Sequence, residues 1–378
     1  MDVSIITEGI SNFNQIGGVS TWLRDLINGL PQINFSVINF YFDEDFSSEF
    51  LDNNLPNLKS YKNIFLKEYP LSIDKMREVL GNLTFEDSKI YYATSTGCSS
   101  LCGMFLSDLN NKPFILTEHA IYWQEAKEAN ELECGLKIGQ RITNELRNIA
   151  KLAYKKASIV TTPTNYTRNI EISEGAEPLK CKVIFNGIDP DKFEFRLRFP
   201  VENIGFVGRI TKIKNIERIL RIWKILSDKN SSLRFFIIGP ITDQNYYKYL
   251  KEIISYLGLN KKVEFTGPKA RNEWVNYIDA IFLASKMETQ PYVVLEALAS
   301  GILPIVSNVG GLPETVSDAG IIFDIDSMDK EIALKVEKII LDREYVTEKS
   351  FIARKLIYET YSLDKMLNAY NDIFCLFF

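Results

Sequence analysis

The chain lacks a long apolar run, an excess of positive charge and a CxxC cysteine pair. No stretch of its 378 residues approaches the roughly 20 apolar residues of a membrane-spanning helix, so we expect no such span. The net charge of −5 argues against nucleic acid as a partner, because a phosphate backbone rewards a basic surface. The amino terminus enters an apolar run without a basic segment, so we also expect no signal peptide.

Cysteine and histidine are both scarce. The five cysteines are odd in number, which favours a reducing compartment, and we expect a cytoplasmic protein. Cys98 and Cys102 have the i, i+4 spacing of two metal ligands on one helix, but no second pair accompanies them. We therefore expect no metal site there. His119 is the only histidine, and a lone histidine is more often structural than catalytic.

Short β-rich runs alternate with helical ones along the whole chain. This alternation predicts an α/β protein with parallel sheets covered on both faces. The predicted strands of the first half are 3–6, 35–41, 90–93, 114–117, 159–162 and 183–185. Those of the second half are 204–207, 235–238, 263–265, 280–284, 303–306 and 321–323. Helices are predicted between most of the strands, among them 19–30, 216–226, 246–257 and 272–278.

The length and the strand count together predict two domains. Each half has enough strands for a doubly wound, Rossmann-like domain, and we expect the two domains to face each other across a cleft. We predict an N-terminal domain at 1–196 and a C-terminal domain at 197–362, with a turn-forming run at 186–191 as the join. The apolar helix 363–378 needs a surface to cover and is predicted to pack back on the first domain.

Two glutamates, Glu288 and Glu296, lie eight positions apart on either side of a proline. The apolar run before them predicts a buried strand and the one after them a helix, so Glu288 is in the strand-end loop and Glu296 in the helix. The amides between them surround a helix N-terminus, which attracts anions. A nucleotide sugar combines an anion with hydroxyl groups that can donate hydrogen bonds to such carboxylates. The candidate donor-binding residues of this segment are Gln290, Pro291, Tyr292, Val293 and Glu296.

Two cations follow the first predicted strand of the second domain. Arg209 and Lys214 stand five apart before an amphipathic helix, where the arginine can hold a diphosphate as a fork and the lysine as a point charge. In the first half, His119 follows the strand 114–117, and Gly17 with Gly18 separates the first strand from the first helix. The glycine pair allows close backbone approach to a ligand but does not complete GxGxxG, so a dinucleotide fingerprint is absent.

Together these motifs resemble the GT-B glycosyltransferases of family 4. The similarity extends to the PelF-type branch, the UDP-glucose-using transferases of Pel exopolysaccharide synthesis, through the segments 17–22, 117–122 and 237–240. The family pattern is a Gly-Gly loop, a histidine after a first-domain strand, Arg-x4-Lys and Glu-x7-Glu. Here its residues are Gly17, Gly18, His119, Arg209, Lys214, Glu288 and Glu296.

The resemblance implies a retaining transfer of a hexose, glucose from UDP-glucose above all, to a glycan or lipid-linked acceptor. It implies that Arg209 and Lys214 bind the donor diphosphate and that Glu296 accepts from the ribose hydroxyls. It further implies that Glu288 lies near the donor sugar and that His119 contacts the sugar or its phosphate. The implied mechanism is front-face: the leaving diphosphate draws the acceptor proton, and the protein stabilises charge. No metal or other cofactor is expected, because the cations and the helix N-terminus already neutralise the diphosphate.

Two other functions remain as alternatives. A metal-dependent GT-A transferase would use Asp43 and Asp45 as its DxD motif, although acidic triplets after strands are usually solvated turns. A sugar-nucleotide sensor without turnover would keep the same binding residues. A third question is membrane contact, because the segment 134–156 carries six cations against one glutamate. A solvated helix face is the interpretation we favour, with peripheral membrane docking through this helix as the alternative.

Overall fold

The computed structural model describes residues 1–8, 18–42, 55–81, 83–129 and 139–378. The chain divides into two compact units, Met1–Asn186 with Asp364–Phe378 and Gly187–Leu363. The divide therefore comes earlier than the predicted boundary after residue 196. The reason is that the intervening segment is bound to helices of the second unit: Arg354 Nη1 donates to the carbonyl of Pro190 at 2.8 Å, and Arg196 N donates to Ser300 O at 3.3 Å.

The first unit contains a seven-stranded sheet in the order β3-β2-β1-β4-β5-β6-β7, and every neighbouring pair is parallel. Its strands are β1 Asp2–Glu8, β2 Asn34–Tyr41, β3 Leu58–Phe65, β4 Ile90–Ala93, β5 Phe114–Thr117, β6 Ile159–Thr162 and β7 Cys181–Val183. Its helices are α1 Gly18–Gly29, α2 Ile73–Leu80, α3 Cys98–Asn110, α4 Tyr122–Ala129, α5 Gln140–Lys156 and α6 Asn165–Ser173.

The second unit contains a six-stranded parallel sheet in the order β10-β9-β8-β11-β12-β13. Its strands are β8 Asn203–Val207, β9 Arg234–Ile238, β10 Val263–Gly267, β11 Ala280–Leu283, β12 Leu303–Ser307 and β13 Ile321–Phe323. Its helices are α7 Ile216–Lys229, α8 Gln244–Tyr256, α9 Arg271–Trp274, α10 Tyr292–Ala299, α11 Leu312–Val316, α12 Asp329–Ile340 and α13 Arg343–Glu359. Short 3₁₀ helices lie at Pro190–Lys192 and Lys212–Lys214.

Both sheets are doubly wound, and in both the strand order reverses once. The reversal falls between β1 and β4 in the first unit and between β8 and β11 in the second. Ligands of open α/β sheets bind beyond the carboxyl ends of the strands at such a switch point. The two Rossmann-like sheets confirm the predicted α/β fold class.

The last helix, α14 (Leu363–Cys375), packs on the first unit. The ring of Tyr370 lies 5.5 Å from that of Trp22, and the ring of Phe374 lies 6.3 Å from that of Phe35. At Gly29 an added Cβ would lie 2.2 Å from Leu367 Cδ1, so the helix seats against α1 where no side chain intervenes. Among the described residues, no helix has both the length and the apolar character that crossing a membrane requires.

Two elements differ from the sequence-based expectation. Strand β3 was not predicted, because it is an edge strand whose sequence, LKSYKNIF, contains two lysines and has only one buried residue. A helix predicted at 272–278 is only the four-residue α9, followed by turns in which Asn276 N and Tyr277 N each donate to a carbonyl three residues back.

Candidate functional site

The loops after β8 and β11 meet at the switch point of the second sheet. Lys286 N donates to Ile213 O at 2.9 Å, and Asn215 Nδ2 donates to Ala284 O at 3.1 Å. Asn215 has a φ of 53°, a left-handed conformation that asparagine tolerates better than most residues. It therefore ends the 3₁₀ turn, begins α7 and ties the two loops together.

Lys214 and Glu288 form an ion pair across these two loops. Lys214 Nζ donates to Glu288 Oε1 at 2.7 Å, and Ser285 Oγ donates to the same oxygen at 2.7 Å. From its place after a strand and its proposed contact with a diphosphate, we expect the Lys214 side chain to be exposed. This expectation is wrong, because the Lys214 side chain is only 18% exposed and that of Glu288 is 9% exposed. The sequence placed both residues at one sheet edge but carried no signal for their pairing or for Ser285.

Arg209 lies in the loop directly after β8 and is half-buried. The loop is shaped by close backbone contact with the neighbouring strand end: Ile210 N donates to Pro240 O at 3.0 Å, and Gly208 N donates to Ile238 O at 2.9 Å. Gly239 has a φ of 149°, and an added Cβ would lie 1.9 Å from Gly208 O. Only glycine allows this approach, so the Arg209 loop depends on Gly239.

The helix N-termini at this switch point differ in how they are capped. Tyr246 Oη accepts hydrogen bonds from the backbone amides of Ile216 and Glu217, and so caps α7. Helix α10 begins after Pro291, its N-cap residue, which makes no side-chain hydrogen bond to the helix. An anion at this edge is therefore attracted to the partial positive charge at the start of α10, beside Lys214 and Glu288.

Glu296 lies in α10 and is 3% exposed. Its Oε1 accepts from Arg271 Nε at 2.5 Å and its Oε2 accepts from Trp274 Nε1 at 2.9 Å. Both donors belong to α9, and sequence reasoning missed them. Trp274 itself was a weak signal, since the N–H of a buried tryptophan usually finds a hydrogen-bond acceptor.

In the first unit, His119 follows β5 and lies against Trp22, with the ring centroids 4.5 Å apart. Removal of the imidazole from water lowers the pKa of His119 to about 3. The ring is therefore neutral at pH 7, and its chemistry is that of a neutral hydrogen-bonding group. Gly18 is the first residue of α1, while Gly17 lies outside the described residues.

Glu118, the residue before His119, is fully buried and was not singled out from the sequence. Its Oε1 accepts from Thr96 Oγ1 at 2.5 Å, and its Oε2 accepts from Tyr154 Oη. Burial raises the pKa of Glu118 to about 7. Burial and the charge of Glu118 together raise the pKa of Glu171 well above its usual range. Glu118 therefore links the end of β5 to α5, and its charge acts on Glu171 in α6.

Glu8 occupies the switch point of the first sheet, at the end of β1. Ser95 Oγ donates to it at 2.7 Å, Ser99 N at 3.3 Å and Tyr69 Oη at 3.2 Å. Burial raises the pKa of Glu8, and these hydrogen bonds oppose the shift. Its carboxylate therefore lies at the N-terminus of α3, where a Rossmann-like sheet often holds a ligand anion.

The basic segment 134–156 contains helix α5, while residues 130–138, with Cys134 and Lys137, lie outside the described residues. Arg147 binds Glu174 through Nε at 2.8 Å and Nη2 at 2.6 Å, and Lys151 Nζ lies 3.6 Å from the same carboxylate. Lys156 pairs with Asp108. Three of the cations that membrane docking would require are thus held by acidic side chains of the same unit, which favours the solvated helix face.

Metal ligands are not grouped in the part of the chain that the structure describes. No cluster of three or more histidine, cysteine, aspartate or glutamate side chains is found there. Cys98 and Cys102 lie in the apolar core of the first unit. Asp43 and Asp45, the residues of the GT-A alternative, lie outside the described residues.

Two family models match this chain. The model of glycosyl transferases group 1 matches residues 189–355, almost all of the second unit. A domain of unknown function (DUF3492) matches residues 1–78 and 61–179 in the first unit.

Relatives of similar sequence include glycosyltransferases. An uncharacterised glycosyltransferase of Methanocaldococcus jannaschii is 30% identical over 235 residues, which are 56% of this chain and 58% of that protein. The sulfoquinovosyl transferase of Arabidopsis thaliana is 21% identical over 88% of this chain and 66% of its own length. This chain thus spans less than two thirds of either relative.

Solved structures match the fold over almost the full chain. The Anabaena protein HepE in complex with UDP and glucose has a TM-score of 0.79 at 17% identity, with 99% of both chains covered. Sucrose-phosphate synthase from Thermosynechococcus elongatus also has a TM-score of 0.79, at 14% identity, with 99% of this chain and 98% of that chain covered. The fold is GT-B.

Proposed function

Because the family match and the GT-B fold support a place for this chain among the group 1 glycosyltransferases, we propose that it transfers a hexose from a nucleotide sugar to an acceptor. The donor we propose is UDP-glucose. The acceptor class is a glycan or a lipid-linked sugar, and the transfer proceeds with retention at the anomeric carbon. The family 4 and PelF-type resemblance motivates the mechanism and the acceptor class, which stay proposals.

A single observation carries this proposal: the ion pair of Lys214 and Glu288 at the switch point of the second sheet. At the same sheet edge lie Arg209, in the loop after β8, and the start of α10, whose N-cap residue Pro291 makes no side-chain hydrogen bond. A cation, a second cation and a positive helix end suit a diphosphate, and Glu288 suits a sugar hydroxyl. The desolvation of two charges offsets much of their attraction, so a largely buried ion pair is weak evidence for a stabilising role.

The choice of donor rests on similarity. HepE, whose fold this chain shares, was also crystallised with UDP-glucose, in a structure with a TM-score of 0.77 at 18% identity. Donor-binding roles are proposed for Gln290, Pro291, Tyr292 and Val293, and their position around the start of α10 supports this. Glu296 is proposed to accept from ribose hydroxyls.

In the proposed reaction the protein stabilises charge and orients the substrates. As the glycosidic bond loosens, negative charge grows on the leaving diphosphate, and Lys214 and Arg209 stabilise it. The diphosphate itself takes the acceptor proton. Reaction without a divalent metal is part of the proposal, as are a catalytic role for His119 and a cytoplasmic location.

A screen of sugar nucleotides tests the proposal. The full chain is incubated with UDP-glucose, UDP-galactose, UDP-N-acetylglucosamine and GDP-mannose in EDTA, and nucleotide release is measured without acceptor. We expect slow release that is fastest with UDP-glucose, and an acceptor screen then uses that donor. Release that requires magnesium would refute the metal-independent mechanism. If the chain binds UDP-glucose tightly but releases no nucleotide under any condition, the protein is a sugar-nucleotide sensor and not an enzyme.

A further inference from the structure

Helix α9 holds the carboxylate of Glu296 from two sides. Arg271 Nε, at the start of α9, donates to Oε1 at 2.5 Å. Trp274 Nε1, at its end, donates to Oε2 at 2.9 Å. Each oxygen of the carboxylate thus receives one donor from the same short element, so the plane of the carboxylate and its rotation about the last side-chain bond are both defined.

Arg271 is itself restrained. Its guanidinium carbon lies 5.5 Å from the ring centroid of Tyr292 and 5.7 Å from that of Phe193. Trp274 is 2% exposed, so its indole is packed on all sides. The two groups that orient Glu296 therefore have little freedom, and they transmit that rigidity to the carboxylate.

A carboxylate oxygen accepts about two hydrogen bonds, one along each lone pair. With one lone pair of each oxygen occupied by α9, one acceptor position remains on Oε1 and one on Oε2. The two remaining positions have a fixed separation and a fixed direction. This arrangement suits a ligand that presents two adjacent hydroxyl donors, as the 2′ and 3′ hydroxyls of a ribose do.

We propose that Arg271 and Trp274 are positioning residues for Glu296, and that through it they make the site select a ribonucleoside diphosphate over its 2′-deoxy counterpart. The inference rests on the proposed function, because it takes Glu296 to contact the ribose. It adds the residues that orient Glu296 and the ribose specificity that this orientation produces. A site that hydrogen-bonds a hydroxyl rejects the analogue that lacks it, since a buried acceptor is then left without its donor.

Trp274→Phe is the decisive variant, because it removes the indole N–H while keeping an aromatic ring in the packed site. The dissociation constants of UDP and 2′-deoxy-UDP are measured by calorimetry for the wild-type protein and the variant. We expect the wild type to prefer UDP by about tenfold or more. In Trp274→Phe we expect the preference to shrink to about threefold or less, because UDP binding weakens while 2′-deoxy-UDP binding hardly changes.

Trp223→Phe is the matched control. Trp223 is a fully buried tryptophan in α7 of the same unit, and its indole nitrogen has no hydrogen-bond partner in the part of the chain that the structure describes. The control makes the same tryptophan-to-phenylalanine change at a buried position but removes no hydrogen-bond donor to Glu296. We expect it to keep the wild-type preference for UDP whatever its effect on the melting temperature.

The outcomes separate the two proposals. If the wild-type protein does not bind UDP, the proposed function fails. If it binds UDP and the preference is absent, or is unchanged in Trp274→Phe, donor binding stands and the positioning inference is wrong.

Should Trp274→Phe fail to fold, Arg271→Gln replaces it, because the Arg271 side chain is 26% exposed and its loss removes the other donor. We then expect the preference for UDP over 2′-deoxy-UDP to shrink in the same way, and an unchanged preference would refute the inference.

Discussion

At the scale of single residues, the ion pair of Lys214 and Glu288 has the largest consequence for the proposed reaction. A diphosphate that binds Lys214 competes with Glu288 for the ammonium group, which is 2.7 Å from the carboxylate in the structure. The sequence predicted that both residues follow strands of one sheet. It did not predict their contact, because side-chain pairing across two loops depends on the tie that Asn215 makes with Ala284 O.

Lys214→Ala should lower turnover strongly. A charge-assisted contact to the diphosphate is worth about 1.5–3 kcal/mol, and because charge grows on the leaving group, the loss should appear mainly in kcat. The change also leaves Glu288, which is 9% exposed, without its cation and with Ser285 as a hydrogen-bond donor, so we expect a lower melting temperature as well. Steady-state kinetics measure the effect. The matched control is Lys212→Ala, an exposed lysine of the same 3₁₀ turn, and equal kinetics in the two variants would contradict the assignment.

The two glutamates should divide the donor between them. Glu296→Gln should weaken the binding of UDP and of UDP-glucose alike, because the proposed contact is with the ribose that both share. Glu288→Gln should leave UDP affinity within about threefold and lower sugar transfer, because Glu288 lies beside Lys214 at the strand-end loop. Calorimetry with UDP on both variants measures this. An equal loss of UDP affinity in the two would show that the carboxylates do not have separate roles.

His119 should not titrate in the working range of pH. Its pKa is lowered to about 3 by removal from water, so the ring stays neutral from pH 5 to 8 and the rate should show no inflection near 6.5 that depends on it. The rates of the wild type and of His119→Gln are compared across this range. The variant should be slower by a constant factor, and a wild-type inflection between pH 6 and 7 that vanishes in the variant would contradict the prediction.

At the scale of elements, the sequence predicted the strands that carry apolar runs and missed the one that does not. Every strand that the sequence predicted is present, with β7 shifted from 183–185 to Cys181–Val183. Strand β3 lies at the sheet edge with mostly half-exposed side chains, so no period of apolar residues marks it. The sequence predicted a helix at the position of α9 but gave it the wrong length. The contacts of α9 with Glu296 depend on tertiary packing, which the periodicity of apolar residues does not encode.

The contact between β5 and α5 should depend on pH through Glu118. Its pKa in the folded protein is about 7, above the usual value of 4.5, so the folded state binds more protons than the unfolded state between these values. Its contribution to the free energy of unfolding is therefore present below about pH 4.5 and is lost as the pH rises through 7. Glu118→Gln keeps an oxygen acceptor and cannot ionise. We expect its unfolding free energy to fall less than that of the wild type between pH 5 and 8.

Urea unfolding at several pH values measures this effect. The control is Glu78→Gln, an exposed glutamate on α2, which should follow the wild-type curve. Parallel curves for Glu118→Gln and the wild type would show that the buried carboxyl is already ionised at pH 5, contrary to the raised pKa. The nearby Glu171 changes the size of this difference but keeps its sign, since burial raises the pKa of Glu171 as well.

At the scale of the whole molecule, the two Rossmann-like sheets have the same switch-point topology but carry different side chains there. In the second unit the loops at the switch point carry two cations, the carboxylate of Glu288 and the start of α10, whose N-cap residue Pro291 makes no side-chain hydrogen bond. In the first unit, the buried carboxylate of Glu8 lies at the N-terminus of α3. We therefore expect the nucleotide diphosphate to bind the second unit, which is the unit that the glycosyl transferases group 1 model matches. The sequence predicted two doubly wound domains, but this difference comes from side chains brought together only by folding.

Proton NMR of UDP-glucose incubated with the full chain in EDTA tests the central claim most directly. The anomeric signal of the donor should decline as free glucose or transferred glucose grows in, first as the α anomer because the configuration is retained. Lys214→Ala should slow this decline by about tenfold or more, as the loss of a charge-assisted contact requires. A donor signal that stays constant, with a chain shown by calorimetry to bind no UDP, would contradict the account.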